Sequence, residues 1–399
     1  MLVTLGLVAF GLVMVYSATS APAALARTDP MSYLKKQGAY AFIGVLLMMA
    51  AAHFDYRRLR LFAPTLVLSA LFLCLAVLVI GSRVNGARRW IEVGPATFQP
   101  SELAKLAVAV WAAGYLCRRP APRTLRDLWR PIGLLLGLFC LLILAEPDLG
   151  TAIALVVVVL AILLVSGTPG STLASGGGIV VALGLLAIWF EPYRRARIFS
   201  FLDPWKDPQG AGFQTVQALI SLGSGGMFGV GLGHGVAKVN YLPEAHTDMI
   251  LGVIGEELGL VGVAAVLAAF VAFAWAGLRV ALVCKDPFGK RLAVGVVALV
   301  SGQAAINLAA VLGLAPLTGI PLPFISYGGS SLVVTLLAVG VLLNIAGSGA
   351  RAAAAMPDRG RGDGRARRAV ARGRGGAAAS RRARDVRRVA GSHRSAARS

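Results

Sequence analysis

Along this chain, apolar residues gather into long runs, and polar residues collect in the joints between them. Runs able to cross a hydrocarbon layer of about 30 Å lie at 2–19, 38–54, 61–81, 103–117, 131–145, 149–166, 174–190, 249–275, 292–314 and 331–348. This pattern predicts an all-α polytopic integral membrane protein with about ten transmembrane helices. The joints are short except one, a long outer loop over 191–248 between the seventh and eighth helices, rich in Gly, Pro and aromatics. Long ordered loops are usually functional, so this segment is the first place to look for a site. The first run is followed by Ala24-Leu25-Ala26, which mimics a signal-peptide cleavage site. No positive stretch precedes the run, and it is predicted to be the first membrane helix.

Composition supports the pattern. Hydrophobic residues make up 57% of the 399 and charged residues 14%, against roughly 25% charged in a soluble domain. The net charge is +21, and much of it is terminal: fifteen Arg stand between Arg351 and Arg398, against Asp358, Asp363 and Asp385. The sequence therefore divides into a membrane domain, 1–349, and an Arg-rich tail, 350–399, without the apolar periodicity needed to fold. The tail is expected to stay near anionic lipid, and no motif or aromatic interleaving in it points to nucleic acid. Cys74, Cys117, Cys140 and Cys284 have no CxxC spacing and read as small apolar packers.

Ten crossings put both termini on one side, and the basic tail places that side in the cytoplasm. The segments 57–60, 118–130 and 285–291 then face the cytoplasm too. Against that bias, many cations fall outside, among them Arg83, Arg88, Arg89, Arg194, Arg195, Arg197, Lys206 and Lys238. Either they pair with outer acids such as Glu92, Glu102, Asp148, Glu191 and Glu244, or they serve an anionic ligand.

Several segments could carry chemistry. The run Gly223–Gly235 fits neither a dinucleotide nor a Walker pattern and is expected to serve close backbone packing at the membrane surface. In Tyr241–Ile250, Glu244, His246, Thr247 and Asp248 gather just before an apolar helix. Thr247 or Asp248 suits its N-cap. Asp248 also suits a general base at the bilayer edge, where desolvation raises a carboxylate's pKa and cations lower it. Glu256 and Glu257 are expected about 12 Å down the same helix, Glu256 toward the Asp248 side and Glu257 away from it. Acids at that depth must face protein or water.

In Gly86–Leu106, Arg88, Arg89, Glu102 and Lys105 come together, with Ser101 a candidate cap. Lys105 requires an anion, and Glu102 or Asp148 could provide one. Arg88 and Arg89 could bind a diphosphate. Gln303 and Asn307, four apart, are expected to face the bundle interior, and Thr318–Ser331 is too irregular to face lipid.

These segments resemble the SEDS family (shape, elongation, division and sporulation). The matches are MVYSATS (14–20), GARRWI (86–91), QPSELAKLA (99–107), EPDLGT (146–151), GFQTVQALISLGSGG (212–226), YLPEAHTDMILGVIGEELGLVG (241–262) and PLTGIPLPFISYGGSS (316–331). The form LPEAHTD after GVGLGHGVAKVN is closer to the cell-division branch than to the elongation branch. The resemblance implies a peptidoglycan glycosyltransferase that polymerises lipid II on the outer face of the cytoplasmic membrane, at the division septum. It puts the catalytic acid on Asp248, although Met249 stands where the family usually has an aromatic. It implies a class B penicillin-binding transpeptidase as partner, alongside other division proteins. Combined with the residues, it makes Asp248 the base and Arg88, Arg89, Glu102, Lys105, Glu244 and His246 the substrate-binding set. No metal-ligand spacing or cofactor motif is visible, and a divalent cation bridging diphosphate to a carboxylate is compatible with the residues. The rival readings are an elongation polymerase, a lipid II flippase without chemistry, and a scaffold in which Asp248 only caps a helix.

Overall fold

Each of the ten apolar runs becomes a helix in the computed structural model, which describes residues 1–25, 29–84, 87–94, 96–239 and 242–354. The helices are α1 (Leu2–Leu25), α2 (Ser32–His53), α3 (Tyr56–Ile80) and α4 (Pro100–Arg118), followed by α5 (Leu125–Leu128) and α6 (Leu134–Ala145). After them come α7 (Leu149–Val165), α8 (Gly170–Trp189), α9 (Pro192–Leu202), α10 (Phe213–Ser224), α11 (Ile250–Val283), α12 (Pro287–Val311) and α13 (Gly329–Ala354). A π turn, Trp129–Gly133, joins α5 and α6 into one span over Leu125–Ala145. Seven spans among the described residues are long and apolar enough to cross a bilayer, and α7 is shorter but apolar. The charged ends of α2 and the Glu102–Lys105 pair in α4 lower the hydropathy of those two helices, which complete the ten.

The helices are buried to very different degrees. In α4, fourteen residues from Pro100 to Leu116 are buried, and α12 is buried along most of its length where it packs against α4, α7 and α11. Only Thr172 is buried in α8. Between α8 and the α6–α7 pair lies an apolar cleft of about 940 Å³, lined among others by Leu136, Cys140, Val156, Leu160 and Ile188.

Two features depart from the sequence reading. The loop before α4 is a three-stranded antiparallel sheet, β1 (Ser82–Val84), β2 (Ala87–Val93) and β3 (Ala96–Phe98), with Arg83 opposite Arg88 and Glu92 opposite Thr97. Seven residues, Ala87–Val93, are too few to show a period when a turn follows at once, so the hairpin stayed hidden. The second is a break in α11 at Gly259, whose φ of 67° and ψ of −164° only glycine adopts at low cost.

The glycine-rich run fills that break by backbone contact. Val230 and Gly231 donate to the carbonyls of Glu256 and Glu257, and Leu260 and Val261 donate to those of Gly226 and Met227. A Cβ on Gly225 or Gly229 would collide with the α11 backbone. The packing role expected of these glycines is what the structure has, at helix depth rather than at the surface. Non-helical backbone is tolerated there because the two segments satisfy each other's polar groups.

Asp248 stands just before α11, as expected, but the N-cap is Met249, without a side-chain cap, and neither Thr247 nor Asp248 takes that role. Glu256 accepts from the backbone N–H of Val236 and Ala237. Glu257 forms a fully buried ion pair with Lys238, 2.6 Å, and also accepts from Ser17 of α1. Lys238 thus pairs with a helix acid and not with an outer-loop acid. Removing one partner of such a pair costs about 3–5 kcal/mol, because the other charge is left buried.

The compact helical unit spans Met1–Gly347. The tail assigned to 350–399 lies outside the described residues from 355 onward.

Candidate active site

Four segments meet at the sheet end of the bundle: the strands before α4, the turn between α6 and α7, the stretch 242–249 before α11, and the irregular 312–328 before α13. Asn307 of α12 ties two of them together, donating to the carbonyls of Asp248 at 2.7 Å and Ile320 at 2.8 Å. The amide of Tyr327 donates to the His246 carbonyl at 2.9 Å. The expectation that Asn307 faces the interior holds, and Ile320, Leu322, Phe324 and Ile325 are buried, so the 318–331 stretch turns away from lipid.

Asp248 is half-buried on a turn whose first residue, Glu244, is exposed at φ 55°. Glu244 accepts the amide of Thr247 at 3.0 Å. The Thr247 hydroxyl donates within the same turn, with Glu244 Oε2 at 3.0 Å and Asp248 Oδ1 at 3.3 Å as acceptors. Asp248 Oδ2 lies 3.9 Å from where a Cβ on Gly319 would stand, so glycine keeps that wall open. Burial pushes the Asp248 carboxyl up to about 6, the Glu244 charge adds to this, and Arg197 pulls it back. A carboxyl held there is ionised at neutral pH yet remains a better proton acceptor than a surface aspartate.

His246 sits in an aromatic cluster with Tyr33 of α2 and Tyr327, ring centroids 4.9 and 5.6 Å away. Burial holds its imidazole below the usual histidine value. Glu244 thus shares a turn with Asp248 through Thr247, while His246 faces the aromatic cluster.

The other predicted residues separate. Successive residues of β2 point to opposite faces. Arg88 turns to the end of α3, donating to the Leu78 carbonyl at 3.1 Å. Arg89 turns to the α6–α7 turn, donating through Nε to the Glu146 carbonyl at 2.9 Å and through Nη2 to that of Pro147. Lys105 and Glu102 form a buried pair at 2.8 Å, and Lys105 also donates to Gln303 at 2.9 Å. Asp148, the other anion considered for Lys105, instead caps α7 by accepting from the Thr151 amide at 3.0 Å, and Gln99 donates to it at 3.1 Å. Ser101 does not cap α4. That position is Gln99, followed by Pro100 at the first helical position, and Ser101 accepts from Gln99 at 3.1 Å.

Two groups emerge that the sequence reading had not put in the site. Arg197 of α9 donates to the Leu317 carbonyl at 3.1 Å, two residues from the glycine beside Asp248. Arg194, one turn earlier, donates to the Leu144 carbonyl at 2.9 Å. Their i, i+3 spacing on a short amphipathic helix was the available signal. Tyr33 and Tyr327 carry no such signal, because nothing in the sequence brings 33 to 327. Among the described residues, no group of three or more His, Cys, Asp or Glu has the geometry to hold a metal ion.

A bundle of membrane helices, with a half-buried carboxylate and several guanidinium groups gathered at the sheet end, defines a multi-pass membrane protein with a polar cluster at one end of the bundle. The chain belongs to the FtsW/RodA/SpoVE family of cell cycle proteins, whose profile matches residues 1–350. It is 43% identical over 348 residues to the probable peptidoglycan glycosyltransferase FtsW of Geobacter sulfurreducens, covering 86% of this chain and 93% of that protein. Stage V sporulation protein E of Bacillus subtilis is 40% identical over 348 residues, covering 86% and 95%. A solved peptidoglycan synthase complex, described as coordinating polymerization and crosslinking, contains a chain 32% identical with a TM-score of 0.73, covering 87% and 96%. The rod shape determining protein RodA of Thermus thermophilus is 30% identical with a TM-score of 0.64, covering 87% and 95%.

Proposed function

We propose that this protein is a peptidoglycan glycosyltransferase that polymerises lipid II, the undecaprenyl-diphosphate-linked disaccharide pentapeptide, during septal wall synthesis in cell division. The observation that carries the reading is the half-buried Asp248 carboxyl, held near 6 at the sheet end of the bundle with Arg197 and Gly319 close by. In the reaction, Asp248 takes the proton from an acceptor sugar hydroxyl. The oxygen bonds to the anomeric carbon of the donor sugar, and the bond from that carbon to the lipid diphosphate breaks. Electrostatic stabilisation of the leaving diphosphate requires fixed cations, and Arg89 of β2 is fixed against the carbonyls of the α6–α7 turn. Lys105 and Glu102, sealed against each other, support the floor through Gln303.

Several supports converge. Relatives named for the division enzyme cover nearly all of their own length, and the related solved complex couples polymerization to crosslinking. The partner inferred is therefore a class B penicillin-binding transpeptidase in the division machinery. The sheet end faces outward and both termini face the cytoplasm, where the positive charge of the Arg-rich sequence 350–399 suits anionic lipid. The chemistry needs no organic cofactor, and a divalent cation would enter with the diphosphate.

The test is purified protein with lipid II, with and without the transpeptidase, and glycan products resolved by length. Wild type is expected to make strands and Asp248→Asn to make none. Equal products from both would remove Asp248 from the chemistry.

A further inference from the structure

Three guanidinium groups from two separate elements converge on the turn that ends α6 and on the stretch beside Asp248. Arg89 comes from β2 and holds the carbonyls of Glu146 and Pro147. Arg194 comes from α9 and holds the carbonyls of Leu144 at 2.9 Å and Ala187 at 3.2 Å. Arg197, one turn on, holds the Leu317 carbonyl at 3.1 Å. Gly150 packs against the Thr318 carbonyl and Ile320, which brings the 144–150 turn and the 317–320 stretch side by side.

Neutral carbonyls anchor Arg89 and Arg194 without cancelling their charge. Among the described residues, no carboxylate lies within ion-pair distance of Arg89 or Arg194. The nearest acid, Glu146, is fully buried, and neither of its carboxyl oxygens has a hydrogen-bond partner. Burial, then the Asp148 charge, pushes Glu146 up to about 8, so at neutral pH it is uncharged. A guanidinium has five N–H donors, and the carbonyls take two each from Arg89 and Arg194. Capping the end of α6 accounts for the anchoring, but the site still has surplus charge and surplus donors.

The setting narrows the ligand. Around Arg194 and Arg197, Trp189, Phe190, Phe199, Leu202 and Trp205 are all exposed. Aromatic and apolar side chains around a basic amphipathic helix place it at headgroup depth, where a diphosphate attached to a lipid lies.

We propose that Arg89, Arg194 and Arg197 form one cradle for a prenyl-lipid diphosphate, with α9 supplying two of its three cations. This rests on the glycosyltransferase reading and assigns the leaving-group subsite within it. Arg197 touches both functions, since its charge also reaches Asp248.

The experiment compares wild type with Arg194→Gln, Arg197→Gln and, as a control on the sheet's exposed strand, Arg83→Gln, all in nanodiscs. It measures the affinity for undecaprenyl diphosphate as probe and the KM and kcat with lipid II plus the transpeptidase. Each of the two α9 variants is expected to weaken the probe and raise KM by about tenfold, the size of one charge-assisted contact. The control should match wild type. Phenylglyoxal labelling of the wild type, mapped by mass spectrometry, should show the probe protecting Arg194 and Arg197, a readout independent of how the variants fold. Unchanged affinity and KM, or no protection, would overturn the cradle while strand synthesis by wild type left the enzyme reading intact. Arginine-dependent probe binding by a protein that makes no strands would keep the cradle and remove the enzyme reading.

Discussion

Burial, Glu244 and Arg197 act on Asp248 in different directions, and the balance leaves its carboxyl near 6. A base works deprotonated, so strand synthesis should fall away as pH drops through about 6. Arg197→Gln removes a charge that lowers this value and should move the acid limb upward, whereas Glu244→Gln should move it downward. A pH–rate profile of the three proteins checks both directions, and identical limbs would show that another group sets the profile. Glu146 offers a stability counterpart. It ionises near its ordinary 4.5 when unfolded and near 8 when folded. Between those values the unfolded chain binds fewer protons, so stability declines as pH rises. Glu146→Gln should therefore melt higher than wild type at pH 8 and equally at pH 4.5. The sequence made Asp248, Glu244 and His246 legible because they crowd one turn before a helix. Arg197 was legible as an outer cation but not as a neighbour of Asp248, and Tyr327 not at all, since contacts over such separations are set by packing that local pattern does not encode.

At the scale of elements, helix positions followed from apolar run length, and their ends shifted by a few residues wherever a charge was drawn inside. α2 begins at Ser32, ahead of Lys35 and Lys36, and its first turns are held to the bundle where Gln37 donates to the Ser326 carbonyl at 3.1 Å. The break in α11 was hidden: hydropathy continues unchanged through Gly259, and only the neighbouring glycine-rich strand explains it. A Cβ at Gly259 would lie 2.5 Å from the Met227 carbonyl oxygen, in a backbone region closed to other residues. Gly259→Ala should cost at least about 1–3 kcal/mol from the dihedral alone. Thermal melting in detergent would register the loss. An unchanged melting temperature would mean that the helix closes across the gap.

At the scale of the molecule, the count of ten crossings was legible from hydropathy, while burial was not. α4 and α8 read alike as apolar runs, yet one is enclosed by protein and the other keeps only Thr172 out of contact with its surroundings. The proposed orientation, read from where the basic segments stand, is testable directly. With the native cysteines replaced, Asp207→Cys on intact cells should react with an impermeant maleimide. Lys285→Cys should react only after permeabilisation, and the reverse pattern would invert the whole assignment. The exchange of hydrogen bonds between 226–231 and 256–261 has a consequence for how the gene can vary. The 226–231 run is irregular and 256–261 is helical apart from Gly259, yet four hydrogen bonds index one to the other across the gap, as rungs do on a ladder. Length changes are therefore forbidden in this stretch, while the exposed connection around 207–211 can absorb them, so the two halves of one loop must evolve under opposite rules.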